Sequence, residues 1–107
     1  MFVAMNRFRV ISGQEAAFEA VWLGRDTHLE HVPGFLGFHL LRGPTADDHT
    51  LFSSMSQWAS RADFEAWTRS EAFRAAHKGA GDNKPLYQGH PNFEGFESLQ
   101  EVRPARA

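Results

Sequence analysis

The 107-residue sequence contains no cysteine, a single tyrosine and no long apolar run. Without cysteine, the chain has no disulfide bonds, no thiolate metal ligands and no cysteine nucleophile. Its apolar stretches fall far short of the roughly 20 residues that a membrane helix needs. Arginines at positions 7 and 9 interrupt the first apolar run, which is therefore unlike a signal peptide. We expect a soluble, cytoplasmic protein that does not bind membranes.

An excess of charge of one sign is also missing. The 11 basic and 13 acidic residues give a net charge of −2. Such a small charge produces no extended field that would attract nucleic acid, so no nucleic-acid partner is expected. A chain of this length can bury one core but not two. We therefore expect a single domain over residues 1–103, followed by a tail over 104–107.

Apolar aromatic residues, by contrast, are abundant. The chain has ten phenylalanines and three tryptophans. Large rings of this kind fill hydrophobic cores, and they also form the walls of pockets for flat apolar ligands. Composition alone leaves both interpretations open.

Hydrophobic periodicity and turn residues predict a simple order of elements. The predicted segments are a strand over 2–11, a helix from 14 to about 30, strands over 35–42 and 50–58, helices over 60–69 and 71–78, a flexible loop over 79–91, and a last strand over 93–102 with a bulge at Gly95.

This order, β-α-β-β-α-β, is that of an α+β, ferredoxin-like fold with an antiparallel sheet. The helices can cover only one face of the sheet, yet the predicted strands carry apolar residues on both faces. A second copy of the chain is the simplest cover for the other face. We therefore expect a homodimer whose sheets face each other, a dimeric α/β barrel.

Histidines are the first candidates for chemistry, and His77 differs from the other five. No pair of histidines has the close spacing of a local zinc site. His77 follows Phe73 by four residues on the same face of the last short helix, and alanines 75 and 76 flank it. A large planar group can approach such a histidine, so the pattern suits an axial haem ligand. It also suits a histidine that packs in the core or caps the helix.

Four further side chains have both a structural and a functional interpretation. Asn6 shares a strand face with Phe8, so its amide would be partly buried and needs a partner, either a loop or a ligand. Trp22 and Trp67 occupy inward helix positions, as core or as pocket wall. Arg25, one turn after Trp22, either extends to the edge of the core or meets an anion such as a carboxylate.

Three short motifs occur together with a spacing typical of one family: Asn6-Arg7, Phe64-Glu-Ala-Trp67 and Ala72-Phe-Arg-Ala-Ala-His77. The segment 33–42 matches that family's second strand. On these residues the chain resembles the antibiotic biosynthesis monooxygenase (ABM) superfamily from about residue 2 to 102. Within the superfamily it is similar to the IsdG-type haem-degrading monooxygenases (HmuQ/HmuD/MhuD-like). The loop over 79–91 departs from the family pattern.

The resemblance implies roles for individual residues. His77 would be the proximal ligand of the haem iron, Asn6 the distal amide, and Trp67 the ring that presses on the macrocycle. Arg25 would lie near the propionate edge of the haem. The implied haem-binding residues are Asn6, Phe8, Trp22, Arg25, Trp67 and His77.

The function implied by the resemblance is oxidative opening of the haem ring. Haem would be both substrate and cofactor, O2 the oxidant, and an unidentified reductase the external electron donor. Iron and a bilin-type product would be released. Three alternatives stay open: a haem-binding or storage protein without turnover, a cofactor-independent monooxygenase acting on a polyaromatic substrate, and a barrel protein without a ligand.

Overall fold

The computed structural model describes residues 1–77 and 86–105 and contains four strands and three helices. In chain order these are β1 (Phe2–Ile11), α1 (Glu15–Leu23), β2 (Phe35–Thr45), β3 (His49–Trp58), α2 (Arg61–Thr68), α3 (Glu71–His77) and β4 (Tyr87–Glu97). The predicted α+β, ferredoxin-like order is confirmed. No helix in these two ranges is long and apolar enough to cross a membrane.

The four strands form one antiparallel sheet in the order β2-β3-β1-β4. The central strands β1 and β3 pair without a bulge, from Phe2 opposite Trp58 to Ile11 opposite His49. Because side chains alternate along a strand, even-numbered residues of β1 and β3 share one face. The three helices pack on this face.

The core on the helix side consists of two aromatic clusters. The first cluster is formed by Phe2, Ala4, Leu29 and Trp58. The second is formed by Phe8, Val10, Phe18 and Phe52. Along β1 and β3, the positions between the two clusters are occupied by Asn6, Ser54 and Ser56. The apolar face of the sheet is therefore interrupted in the middle by small and polar side chains.

The first helix is shorter than predicted. It ends at Leu23 instead of near residue 30. The Asp26 carboxylate accepts a hydrogen bond from the His28 backbone N–H at 2.9 Å, and His28 adopts a positive φ of 55°. This local turn takes the chain out of the helix. Leu29 is therefore buried from a loop, not from a helical stripe.

The last strand also differs from the prediction. It begins at Tyr87, within the segment predicted as a loop, and ends at Glu97 instead of Val102. The bulge predicted at Gly95 is absent, since Gly95 pairs regularly with Ala4. The irregularity in the pairing of β4 with β1 lies instead at residues 89–91, opposite Phe8. Residues 78–85, which include the predicted end of the last short helix and the first half of the predicted loop, lie outside the described residues. The domain limits of 1–103 and 104–107 stay a prediction.

The remaining boundaries agree with prediction to within three residues. Ser60 caps α2, since its hydroxyl accepts the Asp63 backbone N–H at 3.1 Å. The turn between β2 and β3 is shorter than expected because β2 continues to Thr45 and β3 begins at His49.

The opposite face of the sheet carries apolar side chains that no described element covers. Met5 and Met55 are direct cross-strand neighbours at its centre. Leu41 and Phe96 lie on the same face and are 37% and 49% exposed. On this face, Arg7 of the central strand β1 pairs with Glu94 of the edge strand β4 at 3.4 Å.

Candidate functional site

The break between the two core clusters opens into a cavity of about 530 Å³, part of which is open to solvent. The lining residues are Ala4, Asn6, Trp22, Arg25, Thr27, Leu29, Phe38, Ser54, Ser56, Phe64, Trp67, Ala76, His77 and Phe93. Eight of these residues are apolar; the polar ones are Asn6, Arg25, Thr27, Ser54, Ser56 and His77.

The sheet supplies the polar side of the cavity. Asn6 on β1 and Ser54 on β3 are direct cross-strand neighbours on the helix side. Within residues 1–77 and 86–105, the Asn6 amide makes no hydrogen bond, so it can donate to and accept from a ligand. The Ser56 hydroxyl accepts a hydrogen bond from Trp58 Nε1 at 2.9 Å. Small side chains at these positions leave the space that the cavity occupies.

The helices α2 and α3 supply an aromatic wall centred on Trp67. The Trp67 ring packs against Trp58, with centroids 5.2 Å apart, and edge-on against Phe73, with centroids 4.8 Å apart. Its indole N–H is buried and has no hydrogen-bond partner among the described residues. Because an unpartnered buried donor is costly, this N–H is a destabilising feature of the wall within the described residues.

His77 ends α3 with its ring held in a defined orientation. Its Nδ1 lies 2.8 Å from the Phe73 carbonyl oxygen, and its ring stacks on the Phe73 ring with a centroid distance of 4.1 Å. Since a carbonyl oxygen only accepts hydrogen bonds, Nδ1 must carry the proton. Within residues 1–77 and 86–105, the Nε2 atom has no partner and can bind a ligand. Ala76, beside it on the cavity wall, is too small to block the approach.

The loop after α1 places a cation at the cavity. The Arg25 guanidinium lies over the Trp22 ring, 4.4 Å from its centroid, and the Trp22 ring stacks in turn on Phe38. Burial lowers the pKa of Arg25 below its usual value, although an arginine remains charged at neutral pH. No carboxylate of the described residues lies within 4 Å of it. The charge is thus free to pair with an anion.

Five of the six predicted site residues meet at this cavity, and the sixth does not. Asn6, Trp22, Arg25, Trp67 and His77 all line it. Phe8 is buried in the second core cluster, where it packs edge-on against Trp22 with centroids 5.7 Å apart. It supports the wall from behind instead of forming it. In the described ranges, no three histidines or carboxylates are grouped to hold a metal ion.

Several lining residues were not predicted from the sequence. Ser54, Ser56, Phe38 and Phe93 belong to this group. The two serines could have been found, because strand alternation puts them on the same face as Phe52 and Trp58. Phe93 could not have been found in this way, because its place in the lining depends on the pairing of β4 with β1, which brings it opposite Asn6.

The arrangement has the chemical features of a site for a flat ligand with a metal centre. The aromatic wall and the sheet enclose a mainly apolar space. A free imidazole nitrogen on α3 and an amide on β1 stand on two different walls. A cation lies at the position where an anionic edge of such a ligand would be neutralised.

Comparisons with known proteins agree with this chemistry. The family model described as "Antibiotic biosynthesis monooxygenase" matches residues 1–79. A Bacillus thuringiensis (strain Al Hakam) protein named "Heme-degrading monooxygenase" is 36% identical over 66 residues, which make up 55% of this chain and 62% of that protein. The alignment thus spans less than two thirds of this relative.

Two solved structures are similar over nearly the whole chain. The heme-degrader MhuD from Mycobacterium tuberculosis, with two hemes bound in its active site, has a TM-score of 0.72 and 30% identity, covering 96% of this chain and all of that one. SnoaB, a cofactor-independent oxygenase from Streptomyces nogalater, has a TM-score of 0.67 and 19% identity, covering 96% of this chain and 97% of that one. The second likeness concerns the fold alone.

The hydrogen bond of His77 predicts its tautomer. In the ligand-free protein, neutral His77 should carry its proton on Nδ1, because Phe73 offers only an acceptor there. Long-range ¹H–¹⁵N correlation spectra distinguish the two tautomers, and the His77→Ala variant assigns the signals. A neutral ring protonated on Nε2 would contradict the described geometry. The exposed His31 serves as the internal comparison.

Proposed function

Because the chain belongs to the antibiotic biosynthesis monooxygenase family, as its sequence motifs had indicated, we propose that it is a haem-degrading monooxygenase. The observation that carries the proposal is the placement of His77 Nε2 and the Asn6 amide, neither of which has a partner among the described residues, on the helix side and the sheet side of one aromatic-walled cavity. Relatives named as heme-degrading support it.

Haem, when bound, supplies both the iron at which O2 is reduced by an external electron donor and the ring that is opened. Release of iron and a bilin-type product follows from that chemistry. We place the reaction in the cytoplasm, with a reductase as the donor. A haem fits the site because its faces are apolar, its iron needs an axial base, and its propionates need a cation.

Each lining residue has a role that follows from its position in the cavity. His77 would hold the iron through Nε2, with its ring orientation set by the hydrogen bond to Phe73. Asn6 would offer a hydrogen-bond donor from the sheet. Trp67, backed by the buried Trp58, would contact the macrocycle. The aromatic wall also excludes bulk water.

Arg25 is proposed to bind the propionate edge. Its guanidinium is partly desolvated, which strengthens any ion pair that it forms. Its contact with Trp22 orients it without neutralising it. Anchoring one edge of a nearly symmetric ring also selects how the ring is turned in the cavity.

We propose in addition that two copies associate through the open faces of their sheets. The central strands present Met5, Met55 and Leu51 on this face, all only partly buried in one chain, with Arg7 and Arg9 beside them. Apolar patches of this kind mark interaction sites, and a self-complementary face gives a two-fold dimer.

The proposed activity predicts the behaviour of two variants. A hemin titration followed by visible absorption should give a Soret band in the parent, and ascorbate in air with catalase should convert it to a bilin spectrum. Asn6→Ala should bind hemin within about threefold of the parent but degrade it about a hundredfold more slowly, as expected when a preorganised donor is lost. His77→Ala should lose axial ligation.

The control for this experiment is His31→Ala, which removes an exposed histidine outside the cavity and should behave like the parent. A Soret band that persists under ascorbate in the parent would indicate haem storage without turnover. Absence of any band, together with oxygenation of a quinone-type precursor, would indicate a cofactor-independent enzyme. Either result would contradict the proposal.

Arg25→Gln should weaken hemin binding about three- to tenfold, because a charge-assisted contact with the propionates is lost. The dimethyl ester of hemin, which has no anionic edge, should bind the parent and this variant equally. Titrations with both ligands measure the difference. Arg69→Gln makes the same change in net charge on the exposed end of α2 and should have no effect. An equal loss of affinity for hemin and for its ester would refute an electrostatic role.

The proposed dimer predicts a solution mass of about twice 12.1 kDa. Met5→Glu places a charge at the centre of the open face and should shift the mass toward that of one chain, because burying unpaired charges is costly. Leu23→Glu changes an equally apolar side chain that is 78% exposed at the end of α1 and should leave the mass unchanged. Light scattering measures all three proteins. A single-chain mass for the parent would exclude the dimer.

A further inference from the structure

Three serines of β3 are buried, which is unusual for a central strand. Ser53, Ser54 and Ser56 are only 7–8% exposed, where β-branched and aromatic residues would be the ordinary choice. A buried hydroxyl costs free energy unless it is hydrogen-bonded. The partner of each hydroxyl therefore indicates what the side chain does.

Two of the three serines have a partner within the sheet. The Ser53 hydroxyl donates to the Ser54 carbonyl oxygen at 3.0 Å, on the face away from the helices. The Ser56 hydroxyl accepts from Trp58 Nε1 at 2.9 Å. The Ser54 hydroxyl makes no hydrogen bond in the described part of the chain, and its side chain lines the cavity. Ser54 is thus the serine whose hydroxyl remains available to a ligand or water in the cavity.

Ser54 stands directly beside Asn6. The two residues are Cα partners in the β1–β3 ladder and point to the same side of the sheet. Side chains in such a pair have Cβ atoms about 4.5–5.5 Å apart, so the hydroxyl and the amide can reach one small ligand or water together. The Asn6 amide is likewise without an internal partner in residues 1–77 and 86–105. The sheet thus presents to the cavity two adjacent polar groups that make no hydrogen bond within the described residues.

We propose that Ser54 is a second distal hydrogen-bond donor, an inference that rests on the proposed haem site. With Asn6, it binds the small exogenous ligand or water that occupies the haem face opposite His77. Two donors on adjacent strands hold a small ligand in position more strictly than one, because each restricts the direction that the other leaves free. Ser54 is in this sense a residue that determines ligand affinity and orientation, with no covalent role.

Fluoride binding to the ferric haem complex tests this directly. Fluoride binds the iron on the face opposite the axial histidine and accepts hydrogen bonds there, so its affinity reports on distal donors. Ser54→Ala should bind hemin like the parent but fluoride about three- to tenfold more weakly, the effect of losing one hydrogen bond. Ser54→Thr, which keeps the hydroxyl, should bind fluoride more tightly than Ser54→Ala.

Ser53→Ala is the matched control. It removes an equally buried hydroxyl from the neighbouring residue of the same strand, on the other face of the sheet, and should leave fluoride affinity unchanged. In the Asn6→Ala/Ser54→Ala double variant, the loss of fluoride affinity should differ from the product of the single losses, because both residues contact one ligand.

The outcomes separate this inference from the proposed function. A parent protein that gives no hemin complex would overturn both. A normal hemin complex in which Ser54→Ala binds fluoride as tightly as the parent would overturn the role of Ser54 alone. Loss of hemin binding or a lower melting temperature in Ser54→Ala, with Ser54→Thr equally affected, would show that the residue is structural and would also refute the role.

Discussion

The interruption of the aromatic core is the constraint on which the rest of the structure depends. On the helix side of the sheet, Asn6, Ser54 and Ser56 separate two clusters that large apolar side chains could have joined. Burying one such side chain stabilises a fold by roughly 1.5–3 kcal/mol, and the chain forgoes that stabilisation at each of these positions. A cavity with a polar floor and aromatic walls results, and every residue with a proposed role is placed relative to it.

The position of His77 depends on packing, whereas its orientation is local. Helix α3 has only seven residues, too few to be stable alone. Contacts among Trp58, Trp67 and Phe73 hold it against the sheet. Within the helix, the spacing of four residues brings the imidazole onto the Phe73 ring and carbonyl. An aromatic core and one backbone hydrogen bond together present a single nitrogen to the cavity.

Early termination of α1 has an electrostatic consequence. If the helix continued to residue 30, Arg25 would be one more side chain of its stripe. Instead the chain leaves the helix at Gly24 and turns at Asp26 and His28, and Arg25 reaches the cavity from the loop. Partial burial then lowers the pKa of its guanidinium while no carboxylate of the described residues neutralises it. The site therefore combines a mainly apolar cavity with a positive charge that no carboxylate of the described residues pairs.

Local physics in the sequence determined the element order, the two faces of β1, the cap of α2 at Ser60 and the pairing of His77 with Phe73. Each of these depends on neighbours within about four residues, and the family motifs lie on the same elements. Tertiary structure alone decided that Asn6 lines the cavity while Phe8, on the same strand face, is buried behind it. It also decided that Ser54 stands beside Asn6 and that β4 begins at Tyr87. These features depend on strand register and on packing between distant segments, whose free energies belong to pairs of residues far apart in the chain.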